Sequence, residues 1–316
     1  MKVLVTGATG FVGDFLMNEN KDDQIIYRGA YRGDLKDSFN QQGEYFEVGN
    51  IDDRTAWSEA LDGVQAVVHT AARAHVMYDK SKDPLKEYFK VNVEGTIRLA
   101  EEALRKGIKR FIFISSAKVN GENSSLGNPL IVDETQPIGP YALSKFKAEK
   151  ELINLSSSKG LELIIIRPAL VYGPGVKGNF LTLMKLVKKG IPMPFGLINN
   201  KRSFISIYNL ASFITVCLKN VDLKNEIFLI SDDSDLSTKE LIKKLADAFN
   251  KKIILVPIHP EVIKFLAGLI GREDSISRLC DSFHLDISKA KVLLNWKPLL
   301  TFEEGIKKTV EYYNSS

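Results

Sequence analysis

The first residues able to do chemistry lie at the start of the chain. The apolar run Val3-Leu4-Val5 enters Thr6-Gly7-Ala8-Thr9-Gly10-Phe11-Val12-Gly13 and then a helical pattern. Glycines so spaced let the backbone turn tightly and approach a pyrophosphate, which the exposed N–H groups and the positive helix end then hold. A second stretch, Tyr141-Ala142-Leu143-Ser144-Lys145, sets a phenol and an amine four residues apart, on one face of a helix. A tyrosine near its reference pKa of about 10 is a poor base at neutral pH. An adjacent ammonium and the positive charge of an oxidised nicotinamide both favour phenolate and lower that pKa. The phenol can then exchange a proton with a substrate hydroxyl as hydride moves at the same carbon. Upstream, Ser115-Ser116 ends an apolar run, where a hydroxyl can polarise the substrate oxygen or serve as an ordinary turn residue.

These groups need elements to position them. Residues 2–6, 24–31, 45–48, 66–70, 110–115 and 161–167 read as strands, several apolar on consecutive positions, as in parallel strands covered on both faces. Residues 11–18, 53–61, 84–106 and 141–158 read as helices between them; in the third, Leu85, Tyr88, Phe89, Val93, Ile97, Ala100, Ala103 and Leu104 recur at helical spacing. The alternation implies right-handed crossovers and an α/β fold, a doubly wound parallel Rossmann sheet. After Tyr172-Gly173-Pro174-Gly175 the strand-like pieces shorten, and helices follow at residues 180–189, 237–250, 260–269, 287–294 and 302–313. Residues 1–170 are therefore expected to form the NAD(P)-binding domain. Residues 171–316 would form a smaller, mixed α/β substrate domain intermixed with it, since no linker divides them.

The glycine spacing, G-x-x-G-x-x-G, resembles that of the extended short-chain dehydrogenase/reductases. The resemblance extends through Val91-Asn92-Val93-Glu94-Gly95-Thr96, Ser115 to Gly121, Tyr141 to Lys145, Arg167-Pro168, Gly173-Pro174-Gly175 and Asp286-Ile287-Ser288-Lys289-Ala290. Together these resemble the branch of NAD(P)-dependent nucleotide-sugar epimerases, dehydratases and reductases that includes UDP-glucose 4-epimerase. The resemblance implies Ser116, Tyr141 and Lys145 as the catalytic triad. It implies Gly7, Thr9, Gly10, Phe11, Val12, Gly13, Asn50, Ile51, Ala71, Ala72, Asn92, Ser115 and Pro168, with Tyr141 and Lys145, as cofactor contacts. It implies Asn179, Arg202 and a later arginine, Arg272 or Arg278, around the substrate diphosphate, where an arginine fork donates two hydrogen bonds. Homodimers are common in the family, with helices 84–106 and 141–158 the candidate interface unless their apolar faces are covered within the monomer.

Departures from the family pattern bear on the reaction. Dehydratases carry an Asp-Glu pair after the strand-ending Ser or Thr; here Ala117 and Lys118 stand there, and neither supplies that acid/base chemistry. The segments Ala71-Ala72-Arg73-Ala74-His75-Val76 and Ser115 to Glu122 resemble a bacterial polysaccharide-biosynthesis subgroup. Lys118 and His75 become substrate-side candidates, or else a solvated loop cation and a loop-packing imidazole. NAD sites place an acid at the end of the second strand, NADP sites an arginine; here Arg32 is in place and Asp34 comes late. NADP(H) is favoured over NAD, and with it reduction of a UDP-4-keto-6-deoxy-N-acetylhexosamine at C4. The alternatives are a UDP-hexose or UDP-N-acetylhexosamine 4-epimerase with tightly held NAD, and a dinucleotide-binding regulator without catalysis.

Composition excludes other classes. The 316 residues are 44% hydrophobic and 26% charged, with a formal charge of +4, a mild excess that suits an anionic small ligand and marks neither a nucleic-acid nor a membrane partner. Cys217 and Cys280 have no metal-type spacing, so no metal is expected. A reducing cytoplasm is the expected compartment, since no apolar run approaches the roughly 18 residues of a membrane span and the glycine loop leaves no room for a signal peptide.

Overall fold

The computed structural model describes residues 1–19, 22–33, 43–74, 83–269, 271 and 273–316. The first half runs β1 (Lys2–Thr6), α1 (Phe11–Asn18), β2 (Ile26–Tyr31), β3 (Glu44–Glu47), β4 (Ala66–His69), α2 (Pro84–Phe89), α3 (Gly95–Arg105), β5 (Arg110–Ile114), α4 (Gly139–Lys159) and β6 (Glu162–Pro168). The second runs β7 (Leu170–Tyr172), α5 (Gly178–Lys188), β8 (Phe204–Ser206), α6 (Ile207–Lys219), β9 (Glu226–Ile230), α7 (Thr238–Ala248), α8 (Pro260–Leu269), α9 (Glu273–Cys280), α10 (Ser288–Leu294) and α11 (Phe302–Ser315).

Seven strands form one sheet in the order β3-β2-β1-β4-β5-β6-β9, every pairing parallel. This is the doubly wound Rossmann arrangement that the alternation implied. Its strands are apolar on both sides because helices cover both faces: Val3, Val5, Val68, Ile112 and Ile164 point into one core, Leu4, Val67, Phe111 and Ile165 into the other. Strand order reverses between β1 and β4, and ligands of such sheets bind outside the carboxyl ends at that crevice.

Two local readings are corrected. Residues 53–61 form two turns, at 53–54 and from 58 onward, separated by irregular residues 55–57, instead of a helix. The Thr55 hydroxyl accepts from Asp52 N at 2.8 Å and donates to Asn50 O at 2.9 Å, while Arg54 N donates to the Asp52 carboxylate; side chains that bond nearby backbone compete with helix. The helix expected over 84–106 is interrupted by a π-helical turn, Lys90–Glu94, between α2 and α3. Such an insertion re-aims the residues within it.

The second half contains an element the periodicity did not reveal. Strand β9, far along the chain, returns to pair with β6 and completes the main sheet. A third apolar cluster, including Phe180, Met184, Phe204, Ile242, Leu245 and Phe302, fills the space under β7, β8, α5, α7 and α11. Asp232 ties this lobe together: it accepts from Tyr172 Oη at 2.8 Å, Ser206 N at 2.9 Å and Asn209 Nδ2 at 2.7 Å. The apolar faces of α3 and α4 are largely covered within the chain, with Leu99, Ala100, Ala103, Ala148 and Leu152 fully buried.

Candidate active site

The glycine loop joins β1 to α1 at the crevice. Gly7 has φ +67°, and a Cβ there would stand 2.8 Å from Ala71 Cα, so only glycine lets the loop pass under the end of β4. A Cβ on Gly13 would overlap the Gly7 carbonyl oxygen. Gly10 N donates to Gly7 O at 2.8 Å and Asp14 N to Gly10 O at 2.7 Å, winding the loop straight into α1. The N-cap of α1 is Gly10, with no side-chain cap, so its first N–H groups are left for an anion. Gly13→Ala is expected to weaken NAD binding at least tenfold, or ~1.4 kcal/mol, in a calorimetric titration; unchanged affinity would show that the loop is not the pyrophosphate cradle.

The other expected cofactor residues end neighbouring strands. Ala71 and Ala72 follow β4, and Asn50 and Ile51 follow β3. Ile51 packs so closely against Gly95 that a Cβ there would overlap its side chain. Pro168 ends β6, buried. Ser115, just past β5, is 3% exposed and its hydroxyl has no hydrogen-bond partner among the described residues. A buried hydroxyl is rarely left unmatched, so this one fits a polar group of the cofactor. The glycine cradle and this orphaned hydroxyl match a dinucleotide, which when bound supplies or accepts hydride. Arg32 is exposed one residue beyond β2. The Asn92 amide is engaged by the protein itself: its oxygen accepts from Arg73 N at 2.7 Å, and its nitrogen donates to Arg73 O and to Ser144 Oγ at 2.9 Å.

The structure brings the three expected catalytic residues together. Ser116 caps the 3₁₀ turn Ala117–Val119, its hydroxyl accepting from Lys118 N at 3.2 Å. The Ser116 hydroxyl stands close enough to the Tyr141 phenol to favour its anion, and Tyr88 meets the Tyr141 ring edge-on at 6.3 Å. Lys145 sits one turn on in α4, fully buried, with Nζ donating to Ile114 O at 2.8 Å and lying 4.4 Å from the centroid of Phe113.

The electrostatics of the chain alone run opposite to the expected lowering. Burial pushes the Tyr141 phenol up to about 12, the nearby Ser116 hydroxyl opposing it. Burial likewise pulls the Lys145 amine down to about 7, with Glu149 opposing. Desolvation dominates for both because both groups lie away from water. Tyr141 in the unliganded chain is therefore a protonated phenol, poised to donate.

Of the residues expected around the substrate, Arg202 donates to Asp281 O at 3.0 Å and lies over Phe283 at 5.9 Å. Burial brings its guanidinium down to about 10, with Asp281 opposing and Arg278 and Glu122 both acting on it. Lys118 pairs with Glu122 at 3.0 Å. Lys118, Arg202 and Arg278 thus share one charged region, and Glu122 is a member the sequence did not single out. Asn179 is exposed in the first turn of α5. His75, Asp34 and Arg272 lie outside the described residues.

Residues 3–231 match the family described as NAD dependent epimerase/dehydratase. The chain belongs to that family. A UDP-glucose 4-epimerase of Vibrio cholerae is 44% identical over 315 residues, covering 98% of this chain and 95% of that one. An N-acetyl-alpha-D-glucosaminyl-diphospho-ditrans,octacis-undecaprenol 4-epimerase of Escherichia coli O157:H7 is 29% identical over 332 residues, covering 98% and 94%. Among solved structures, UDP-glucose 4-epimerase of Thermotoga maritima with UDP-glucose superposes with a TM-score of 0.78 at 24% identity, covering 100% and 99% of the two chains. UDP-glucuronic acid 4-epimerase of Bacillus cereus with NAD gives 0.79 at 22%, with the same coverage. The protein is an enzyme of the extended short-chain dehydrogenase/reductase type, as the motifs implied; its family is described as NAD dependent, where Arg32 favours NADP(H). Among the described residues no group of three or more His, Cys, Asp or Glu could hold a metal ion, and no helix is long and apolar enough to cross a membrane.

Proposed function

We propose that this family member works at C4 of a UDP-linked sugar and that its turnover is reduction of a 4-keto-6-deoxy-N-acetylhexosamine for surface-polysaccharide synthesis. The observation that carries C4 chemistry is the gathering of Ser116, the Tyr141 phenol on which it acts and the buried Lys145 at the carboxyl end of β5. Ser116 polarises the C4 oxygen, and Tyr141 gives it a proton as the carbon gains hydride. Ala117 and Lys118 occupy the positions of a dehydratase's acids, so elimination across C5–C6 has no acid/base pair here. Arg202, Arg278 and Lys118 supply positive charge for the nucleotide diphosphate.

Reduction is supported by the ribose end. Ala8 N donates to Ala30 O at 3.1 Å, which sets the end of β2 against the glycine loop, and Arg32 follows one residue beyond that strand. A reductase draws on NADPH each turnover, and an arginine at that point suits a 2′-phosphate. The Arg32→Ala variant is expected to lose about tenfold or more in affinity for NADPH, since a charge-assisted bond is worth ~1.5–3 kcal/mol, with NADH little changed. Equal losses for both cofactors would remove this support.

Epimerisation with retained NAD is the second reading, favoured by the 44% identical relative. Two assays separate them. Stoichiometric NADPH loss with UDP-4-keto-6-deoxy-N-acetylglucosamine supports reduction; interconversion of UDP-N-acetylglucosamine and its C4 isomer without added reductant supports epimerisation. We propose a homodimer as well, with the exposed Leu85 of α2 and Leu143 of α4 left for the contact.

A further inference from the structure

We propose that His69 is a positioning residue: a neutral imidazole that ties the strand entering the glycine loop to the helix carrying Tyr141, and so holds the proton donor in register with the cofactor cradle. The inference rests on the active-site reading above. It starts from a fully buried side chain that the reaction itself does not use. His69 ends β4, with Nδ1 2.6 Å from Thr6 Oγ1 and Nε2 2.9 Å from Thr96 Oγ1.

Neighbouring bonds settle which way each proton points. Thr96 Oγ1 donates to Asn92 O at 2.8 Å, so toward His69 it can only accept, and Nε2 carries the proton. Nδ1 is then the acceptor, and Thr6 Oγ1 donates to it while accepting from Ala71 N at 3.4 Å. The chain runs in one sense from Ala71 through Thr6, His69 and Thr96 to Asn92. Ala71 is the residue beneath which Gly7 turns.

From Asn92 the connection reaches the catalytic helix. Asn92 stands in the π-helical turn, where its amide clamps the backbone of Arg73 and donates to Ser144 Oγ at 2.9 Å. Ser144 Oγ in turn donates to Tyr141 O at 2.8 Å. His69 also stacks on Phe113 at 5.8 Å, the ring against which Lys145 Nζ rests. A protonated imidazole would face Lys145 and would force Thr6 to reverse; burial holds the ring neutral, its pKa down at about 3. The neutral ring thus touches Phe113, on which Lys145 rests, and reaches Tyr141 through Thr96, Asn92 and Ser144; misplacement of a reacting group by about 1 Å can cost a hundredfold in rate.

The test compares His69→Leu, which removes both bonds, with His69→Gln, whose amide can accept from Thr6 and donate to Thr96. Thr96→Val breaks the same chain without touching the imidazole, and serves if the leucine variant does not fold. Amide hydrogen exchange is read on the free protein, and turnover is normalised to folded enzyme. The expected result is exchange at residues 141–145 at least tenfold faster in His69→Leu and Thr96→Val, with distant strands unchanged. The expected kcat falls by about 10- to 100-fold with the sugar KM within about threefold, and His69→Gln recovers most of both. Exchange that is unchanged, or faster uniformly across the chain, overturns the proposal, as does a glutamine variant no better than leucine. The exchange measurement needs neither sugar nor cofactor, so its outcome stands apart from failure of the proposed reaction.

Discussion

Tyr141→Phe is expected to lower kcat by about 10²- to 10⁴-fold, the range for loss of a positioned general acid, while affinity for NAD(P) and for UDP stays near that of the unaltered enzyme. The phenol oxygen is the group on which Ser116 acts, and phenylalanine keeps the ring that meets Tyr88 edge-on. The variant therefore removes the proton and little else. Steady-state turnover with parallel calorimetric binding checks this. A kcat within threefold of the original would mean that another group protonates the C4 oxygen. Ser116→Ala should reproduce part of the loss, because Tyr141 would then lose the partner that opposes the upward push of burial on its pKa.

Glu149→Ala is expected to be the most destabilising single change, costing about 3–5 kcal/mol, because it strands a buried cation. Glu149 and Arg167 face each other bidentately, Nη2 to Oε2 at 2.6 Å and Nε to Oε1 at 3.0 Å, with side chains 1% and 3% exposed. Arg167 also donates to Asn120 Oδ1 at 3.2 Å and Val132 O at 2.9 Å. The cluster pins α4, one turn beyond Lys145, to β6 and to the loop after Ser116. Replacing both partners by Leu and Met removes the uncompensated charge and is expected to recover most of the loss. Urea denaturation midpoints decide it. A Glu149→Ala protein within about 1 kcal/mol of the original would show that the pair carries little energy, against the general cost of unpaired buried charge.

Much of this molecule was readable from local signals. The glycine loop, the strand–helix alternation and the Tyr141–Lys145 spacing each depend on residues near one another in sequence, so periodicity and turn chemistry expose them. Residues 53–61 misled because their apolar spacing suits a helix, whereas Thr55 and Asp52 spend their side chains on nearby backbone. Strand β9 pairs with β6 across a long intervening chain, and no local pattern announces such a partner. Lys145 shows the same limit for chemistry: its spacing from Tyr141 is visible in the sequence, but its burial against Phe113 and its bond to Ile114 O are not. That burial pulls the amine's pKa down to about 7. Glu122, Ser144 and His69 escaped notice for a related reason, since each becomes informative only through a partner that folding brings to it.

The central claim is that hydride and proton meet at C4 of the sugar, and following a deuterium label tests it most directly. Incubation of the enzyme with NADPH carrying deuterium at the transferred nicotinamide position and the UDP-4-keto-6-deoxy sugar, followed by NMR of the product, should place one deuterium at C4. It should place none at C5 or C6, and Tyr141→Phe should slow its appearance by the factor given above. Product labelled at any other carbon, or C4 product formed without label, would contradict the account.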